Sequence, residues 1–249
     1  DHRDLHSFPT RRSSDLQTGH MQSKTLANEE AALRARALDA LAILLPKYPI
    51  LKPLLNYINP WQLLVGTVLA AQCTDKRVNE ITPALFARWP GPAELAEAEQ
   101  TELEAVIFSA GFYRNKAKNL IGAAREVSQK HRGEVPKTME ELTALPGLGR
   151  KSAGVLLSSC FDVPAIVVDT HFGRVTRRLG FTEEKDPVRL EYSIASWLPS
   201  EHWNSFSLVL NFHGRDICHS RKPNCCACPL AGICPSNICA EKTSLSPSN

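Results

Sequence analysis

Lys151 and Asp169 are the two side chains whose surroundings would let them act as a chemical pair. Lys151 lies in "LPGLGRKSAG", Leu145 to Gly154, just behind two glycines. This is not a P-loop, which needs four residues between its glycines and a lysine directly after the second. Here Gly147 and Gly149 are two apart and Arg150 intervenes. Pro146 suits position i+1 of a tight turn, and Gly147 suits i+2, where φ is positive. Flanked by "TMEELTA" and "RKSAGVLLSSCF", the turn makes a helix–hairpin–helix. Gly149 bares its N–H next to the free amides of the following helix, an anion site suited to a DNA phosphate. Gly147 and Gly149 are therefore expected to hold DNA without reading its sequence. A cation in the first turn of a helix is disfavoured by about 0.3–1 kcal/mol. That field, plus any burial, lowers the amine pKa toward neutrality and makes Lys151 a nucleophile. Taken alone, Lys151 also reads as a solvated phosphate contact.

Asp169 changes that balance. In "AIVVDTHFGRVTRRLG" an apolar stretch runs into a helix with Asp169 at its N-cap, where a carboxylate is favoured. From Phe161, eight extended residues reach up to about 27 Å, enough to return Asp169 to the side of Lys151. Arg174, Arg177 and Arg178 then give a basic helical face, either solvated or in contact with phosphates.

Six of the eight cysteines crowd between Cys218 and Cys239. Cys218, Cys225, Cys228 and Cys234 have the spacing C-x6-C-x2-C-x5-C, able to wrap one compact centre. One C-x2-C knuckle flanked by single cysteines suits an iron–sulfur cubane or zinc about equally. Cys226 is an adjacent spare, and Cys239 lies outside the spacing. Within the x6 segment "HSRKPN", Arg221 and Lys222 would face outward toward phosphate. Cys73 and Cys160 read as small core residues.

The elements that position these groups are helical nearly throughout. "NEEAALRARALDALAILLPKYP" is amphipathic with Asn28 as a cap, and "NPWQLLVGTVLAAQC" starts with Asn59 as cap and Pro60 behind it. Asp75 is expected to cap the next helix. Thr101 with Glu104, and Thr138 with Glu141, read as capping boxes. Asp186–Pro187 starts another helix, and Ser200 the long one toward Cys218. Only "AIVV" looks strand-like.

The 249 residues suffice for one or two domains. A net charge of +3 is compatible with nucleic acid without indicating it. No apolar run reaches the roughly 18 residues of a membrane span, and the first residues have no apolar signal region. Residues 1–16, "DHRDLHSFPTRRSSDL", back-translate to a common sequencing adapter, so 1–20 is expected to be non-native and disordered, and 238–249 a loose tail.

From about Ala31 to Cys234 the chain resembles the endonuclease III family of helix–hairpin–helix, iron–sulfur DNA glycosylases. The resemblance rests on "LAAQCTD", "AGFYRNKAKNL", "GEVPKTMEELTALPGLGRKSA", "VDTHFGRVTRRLG" and the four-cysteine loop. It implies an all-α fold of two helical domains with a DNA cleft between them. One is a six-helix domain, 53–162, with the hairpin at 138–161; the other, 21–52 plus 163–237, holds one [4Fe-4S] cluster on Cys218, Cys225, Cys228 and Cys234. It implies Lys151 as nucleophile and Asp169 as catalytic carboxylate. Gln72 would fill the space left by an extruded nucleotide, and Phe112 stands where relatives tend to carry a leucine wedge. The DNA-contact set is then Gln72, Phe112, Gly147, Gly149, Arg174, Arg221 and Lys222.

The implied activity is bifunctional: removal of oxidised pyrimidines from double-stranded DNA, then β-elimination at the abasic site through a lysine Schiff base. The implied protein is a monomer in a bacterial-type cytoplasm, associated with the nucleoid and not with membrane. An adenine-glycosylase-like enzyme and a non-catalytic helix–hairpin–helix DNA-binding protein are the alternatives, and Lys151 argues against both.

Overall fold

The computed structural model describes residues 13–239, and over them the chain is helical with no strand. Eleven α-helices follow in order: α1 Ser13–Leu44, α2 Pro60–Leu69, α3 Asp75–Arg88, α4 Pro92–Ala96, α5 Gln100–Ile107, α6 Tyr113–Lys130, α7 Met139–Ala144, α8 Arg150–Cys160, α9 Thr170–Arg178, α10 Pro187–Ala195 and α11 Trp203–Asp216.

Several helix starts follow local capping chemistry. Asn59 accepts from the Gln62 N–H at 2.9 Å, with Pro60 directly behind it. Thr138 accepts from the Glu141 N–H at 3.2 Å and donates to the Glu141 carboxylate at 2.7 Å. Asp186 accepts from Val188 and Arg189.

Other starts differ from expectation. Thr74, not Asp75, caps α3 by accepting from Arg77, which leaves Asp75 inside the first turn. The Thr101–Glu104 box does not form, because α5 begins two residues earlier than that box requires, with Glu99 as its N-cap. Gln100 instead donates to Glu104 at 2.7 Å. Ser200 opens a short 3-10 turn, and α11 proper starts at Trp203. Asn28 caps nothing, since α1 runs through it from Ser13. Of the segment 1–20 expected to be disordered, 1–12 lie outside the described residues, whereas 13–20 continue α1. Leu16 and Gln17 are good helix formers, and no proline interrupts the stretch.

Two hydrophobic cores form. One spans Leu55 to Ala165 and includes Leu63, Leu64, Leu85, Leu120 and Leu156. It is built by six helices of six or more residues plus the five-residue α4. Cys73 and Cys160 pack against it half-buried. The second joins Ala37–Leu44 of α1 to residues from Ile166 to Leu230, with Phe172 and Phe206 meeting edge to face at 6.0 Å.

The "AIVV" stretch is the seam between the cores. Ala165 is buried in the first core and Ile166 in the second. Successive residues of an extended chain face opposite ways, so the stretch is apolar on both sides without pairing in a sheet. Two ion pairs bridge the cores: Arg150–Glu191, bidentate at 2.7 Å, and Arg215–Asp75 at 2.9 Å. Among the described residues no helix is long and apolar enough to cross a membrane.

The hairpin turn closes where Leu148 N–H donates to Leu145 O at 3.2 Å. Gly147 has φ +82°, and a Cβ there would lie 2.9 Å from Asn119 Cβ on α6. Gly147→Ala is expected to destabilise the fold by more than about 1 kcal/mol, from left-handed strain plus overlap. Chemical denaturation measures this directly, and an unchanged midpoint would contradict the assignment.

Candidate functional site

The two cores leave a cleft between them. Lys151 and Asp169 both line a cavity of about 280 Å³ within it, along with Gly147, Asn204, Ser207 and Asn211. Both also line a wider opening of about 840 Å³, where Lys76, Arg177, Lys185 and Arg215 join them. Cations therefore outnumber carboxylates along the opening, a field that draws a polyanion inward.

Lys151 sits in the first turn of α8 and is exposed. Its amine is open to an incoming group. Asp169 caps α9: one carboxylate oxygen accepts from the Phe172 N–H at 2.7 Å and the other from Asn211 Nδ2 at 2.5 Å. The two residues come from separate elements, and the seam brings them to one cavity.

The glycines divide their work. Gly147 makes the turn. Gly149 is the N-cap of α8 with no side-chain cap, and a Cβ on it would touch nothing within 4 Å. The first amides of α8 therefore open onto a vacant approach for an anion.

Gln72 and Phe112 are both exposed, and both adopt the left-handed conformation, with φ 54° and 48°. Phe112 is 68% exposed, unusual for a large apolar ring. Lys116, which the sequence reading passed over, braces both loops. It is 4% exposed and donates to Leu69 O and Ala110 O, each at 2.8 Å. Leu69 O ends the helix before Gln72, and Ala110 O lies two residues before Phe112. Burial lowers the Lys116 amine below its ordinary range. The signal was present in α6: Lys116 occupies a position on the buried stripe formed with Ala117, Leu120, Ala124 and Val127.

Arg174 departs from expectation. It does not offer a free cation to DNA: it donates to Cys218 O at 2.9 Å and Gly214 O at 2.8 Å. Arg178 likewise donates to His219 O at 2.7 Å, Ser220 O and Cys218 Sγ. Arg177 donates to Glu184 O. The basic face is a clamp: carbonyls at the end of α11 and in the cysteine loop meet Arg174 and Arg178, and one in the loop before α10 meets Arg177. Arg221 and Lys222 are exposed on that loop.

Cys218, Cys225, Cys228 and Cys234 are free thiols and line one cavity of about 330 Å³. Among the described residues no three His, Cys, Asp or Glu side chains gather tightly enough to hold a single metal ion. Burial pushes the Cys228 and Cys234 thiols up, and the neighbouring cysteines add to this. His213 lines the same cavity, 2% exposed; burial lowers its imidazole to about 4, and its Nδ1 has no hydrogen-bond partner. Cys226 and Cys239, which the spacing left aside, form a disulfide, so the expected loose tail is tied at its first residues. Residues 240–249 lie outside the described residues.

With this geometry in view, comparison with known proteins gives concordant results. Residues 65–200 match the HhH-GPD superfamily base excision DNA repair protein family. The chain is 46% identical over 213 residues to the endonuclease III of Synechocystis sp., covering 85% of this chain and 97% of that one. It is also similar to a non-covalent endonuclease III–DNA complex (TM-score 0.78, 36% identity, 85% of this chain and 98% of that chain). A trapped endonuclease III–DNA covalent intermediate matches equally well (TM-score 0.78, 36% identity, 84% and 98%).

Two variants separate the roles found here. Gly149→Val is expected to keep thermal stability and weaken DNA binding, measured by fluorescence anisotropy, because it fills only the anion approach. Lys116→Met is expected to cost about 1–3 kcal/mol by leaving two carbonyls without a donor. It should also slow extrusion of a fluorescent base analogue from duplex DNA, because both exposed loops lose their shared brace.

Proposed function

Since the chain belongs to the endonuclease III family of HhH-GPD base excision DNA repair proteins, we propose that its cleft removes oxidised pyrimidines from double-stranded DNA and then cuts the abasic strand. The observation that carries this reading is the convergence of Lys151 and Asp169 on one cavity at the open N-terminus of α8.

A base inside the stack is out of reach, so its nucleotide must leave the helix. Phe112 and Gln72, exposed on braced left-handed loops, enter the space it vacates. Gly149 and the first α8 amides hold a backbone phosphate, and Arg221 and Lys222 add contacts further along. The extruded sugar then meets Lys151 and Asp169. As the glycosidic bond breaks, its electron pair leaves with the base, and Asp169 stabilises the positive charge developing on the sugar. The neutral Lys151 amine attacks C1′, and its proton passes toward the carboxylate. Ring opening gives a Schiff base, which acidifies C2′. Loss of a C2′ proton expels the 3′ phosphate by β-elimination, and hydrolysis releases Lys151.

The donor set in the second core fits a [4Fe-4S] cluster. Four thiols face one cavity, Arg178 donates to one of them, and the space suits a polynuclear group. A single zinc would draw all four sulfurs to about 2.3 Å of one point. Bound on Cys218, Cys225, Cys228 and Cys234, the cluster would order the loop that presents Arg221 and Lys222. The protein acts as a monomer on nucleoid DNA.

Borohydride traps an imine as a permanent link. Enzyme mixed with abasic duplex and borohydride should give a denaturation-resistant protein–DNA band. Lys151→Ala should lose the band and keep DNA binding; trapping at the parental rate would remove Lys151 from the mechanism. Serine in place of any of Cys218, Cys225, Cys228 or Cys234 should lose iron, while Cys226→Ser should retain it. Stoichiometric zinc without iron in anaerobically prepared protein would overturn the cluster assignment.

A further inference from the structure

Three polar side chains along one face of α11 hold the segment that ends in Asp169. Asn204 Oδ1 accepts from the Ala165 N–H at 2.9 Å. Ser207 Oγ accepts from the Val167 N–H at 3.0 Å. Asn211 Nδ2 donates to Asp169 Oδ2 at 2.5 Å. On the helix these residues are three and four apart, the spacing of one face; on the segment their partners are two apart, one face of an extended chain. Seven helical residues rise about 10 Å and four extended ones about 13 Å, so the two periods stay in step over this length.

The first two contacts satisfy backbone N–H groups that no sheet neighbour reaches, which buried backbone requires. The third differs in kind, since it reaches the carboxylate itself. Capping α9 needs one oxygen of Asp169, and the Phe172 N–H takes it. The second oxygen is not needed for the cap. Asn211, Asp169 and Lys151 line the same cavity. With a donor on each oxygen, the carboxylate plane is fixed. A neutral carboxamide orients the anion without cancelling its charge, which a lysine or arginine here would do.

Resting on the reading of Asp169 as the charge-stabilising group, we infer that Asn211 is a positioning residue for base removal: it sets the plane of the Asp169 carboxylate, while Asn204 and Ser207 set the depth of the segment carrying it.

The test is a double-mutant cycle read by single-turnover base removal, with DNA affinity and thermal stability measured alongside. Asn211→Leu keeps the side-chain volume and removes the donor. It should slow base removal about 10-fold or more, the scale of one hydrogen bond to a charged group, and leave DNA affinity within about two-fold. In a chain already carrying Asp169→Asn, the same substitution should add less than about two-fold, because its effect passes through the carboxylate. Equal slowing in both backgrounds would overturn the inference, as would a parental rate in Asn211→Leu. If Asn211→Leu does not fold, Asn211→Asp carries the same comparison, since it keeps size and polarity and turns the donor into an acceptor. Asp169→Asn alone tests the underlying reading: a parental rate there removes Asp169 from the chemistry, and Asn211 with it. Slowing by Asp169→Asn without coupling to Asn211 overturns this inference alone.

Discussion

Two helix N-termini open onto the same cleft, and they are finished in opposite ways. At α9 the open amides are closed by Asp169, a carboxylate in the position its charge favours. At α8 the cap is a glycine with no side chain, so the amides remain open. No acid stands in the first turn of α8; Arg150 and Lys151 do, against the macrodipole. Arg150 is offset by its bidentate pairing to Glu191 on α10. Lys151 is exposed at the positive end of a helix. An anion arriving there would relieve that repulsion and satisfy the amides together, which is the part the proposed function gives to a DNA phosphate.

The seam makes this arrangement possible. Ala165 belongs to the first core and Ile166, with Val168 packed beside it, to the second, since neighbouring extended residues face opposite ways. Gly154 on α8 faces the seam, where a Cβ would make ordinary contact, 3.5 Å from Val167 and 3.8 Å from Ala165. A shift of one residue along the seam would turn Ala165 and Ile166 each toward the wrong core. The same apolar packing that joins the cores thus fixes where Asp169 emerges.

Features decided within a few residues were legible in the sequence. Asn59, Thr138, Asp169 and Asp186 cap helices as their types and neighbours indicate, and the Pro146–Gly147 turn has the φ that its composition demands. Thr74 and Asp75 are neighbours of types that can both cap, so composition does not choose between them, and Glu99 and His202 stand two residues from Thr101 and Ser200. Features decided across the fold were not legible. Arg174 and Arg178 look like a free basic face until α11 and the cysteine loop supply carbonyls beside them. Cys226 and Cys239, 13 residues apart, carry no mark of their pairing in the spacing of the other four. Lys116 was detectable in principle, since a lysine on an apolar stripe needs acceptors, but which carbonyls it finds is a tertiary matter.

Among the described residues Gln72, Phe112, Arg132, Asp162 and Lys222 are the non-glycine residues with left-handed backbone. Arg132 and Asp162 each follow a helix end, where the chain reverses and the next amide returns to an earlier carbonyl: Gly133 N–H to Val127 O at 2.9 Å, Val163 N–H to Leu157 O at 3.1 Å. Their conformation is how those helices stop. Gln72 sits in the turn after α2, where the Cys73 N–H returns to Ala70 O at 3.1 Å, and Phe112 stands instead before a helix, at the start of α6. Each costs of order 1–3 kcal/mol in backbone strain, and each leaves its side chain in solvent. Between them lies Lys116, a charge taken out of water to hold the carbonyls that precede both. Two strained loops and a desolvated cation each carry a cost in the free protein, countered there by the two hydrogen bonds of Lys116. On the proposed reading they become favourable together with a duplex in the cleft, where loops already bent and braced would enter the stack without first paying the entropy of being ordered.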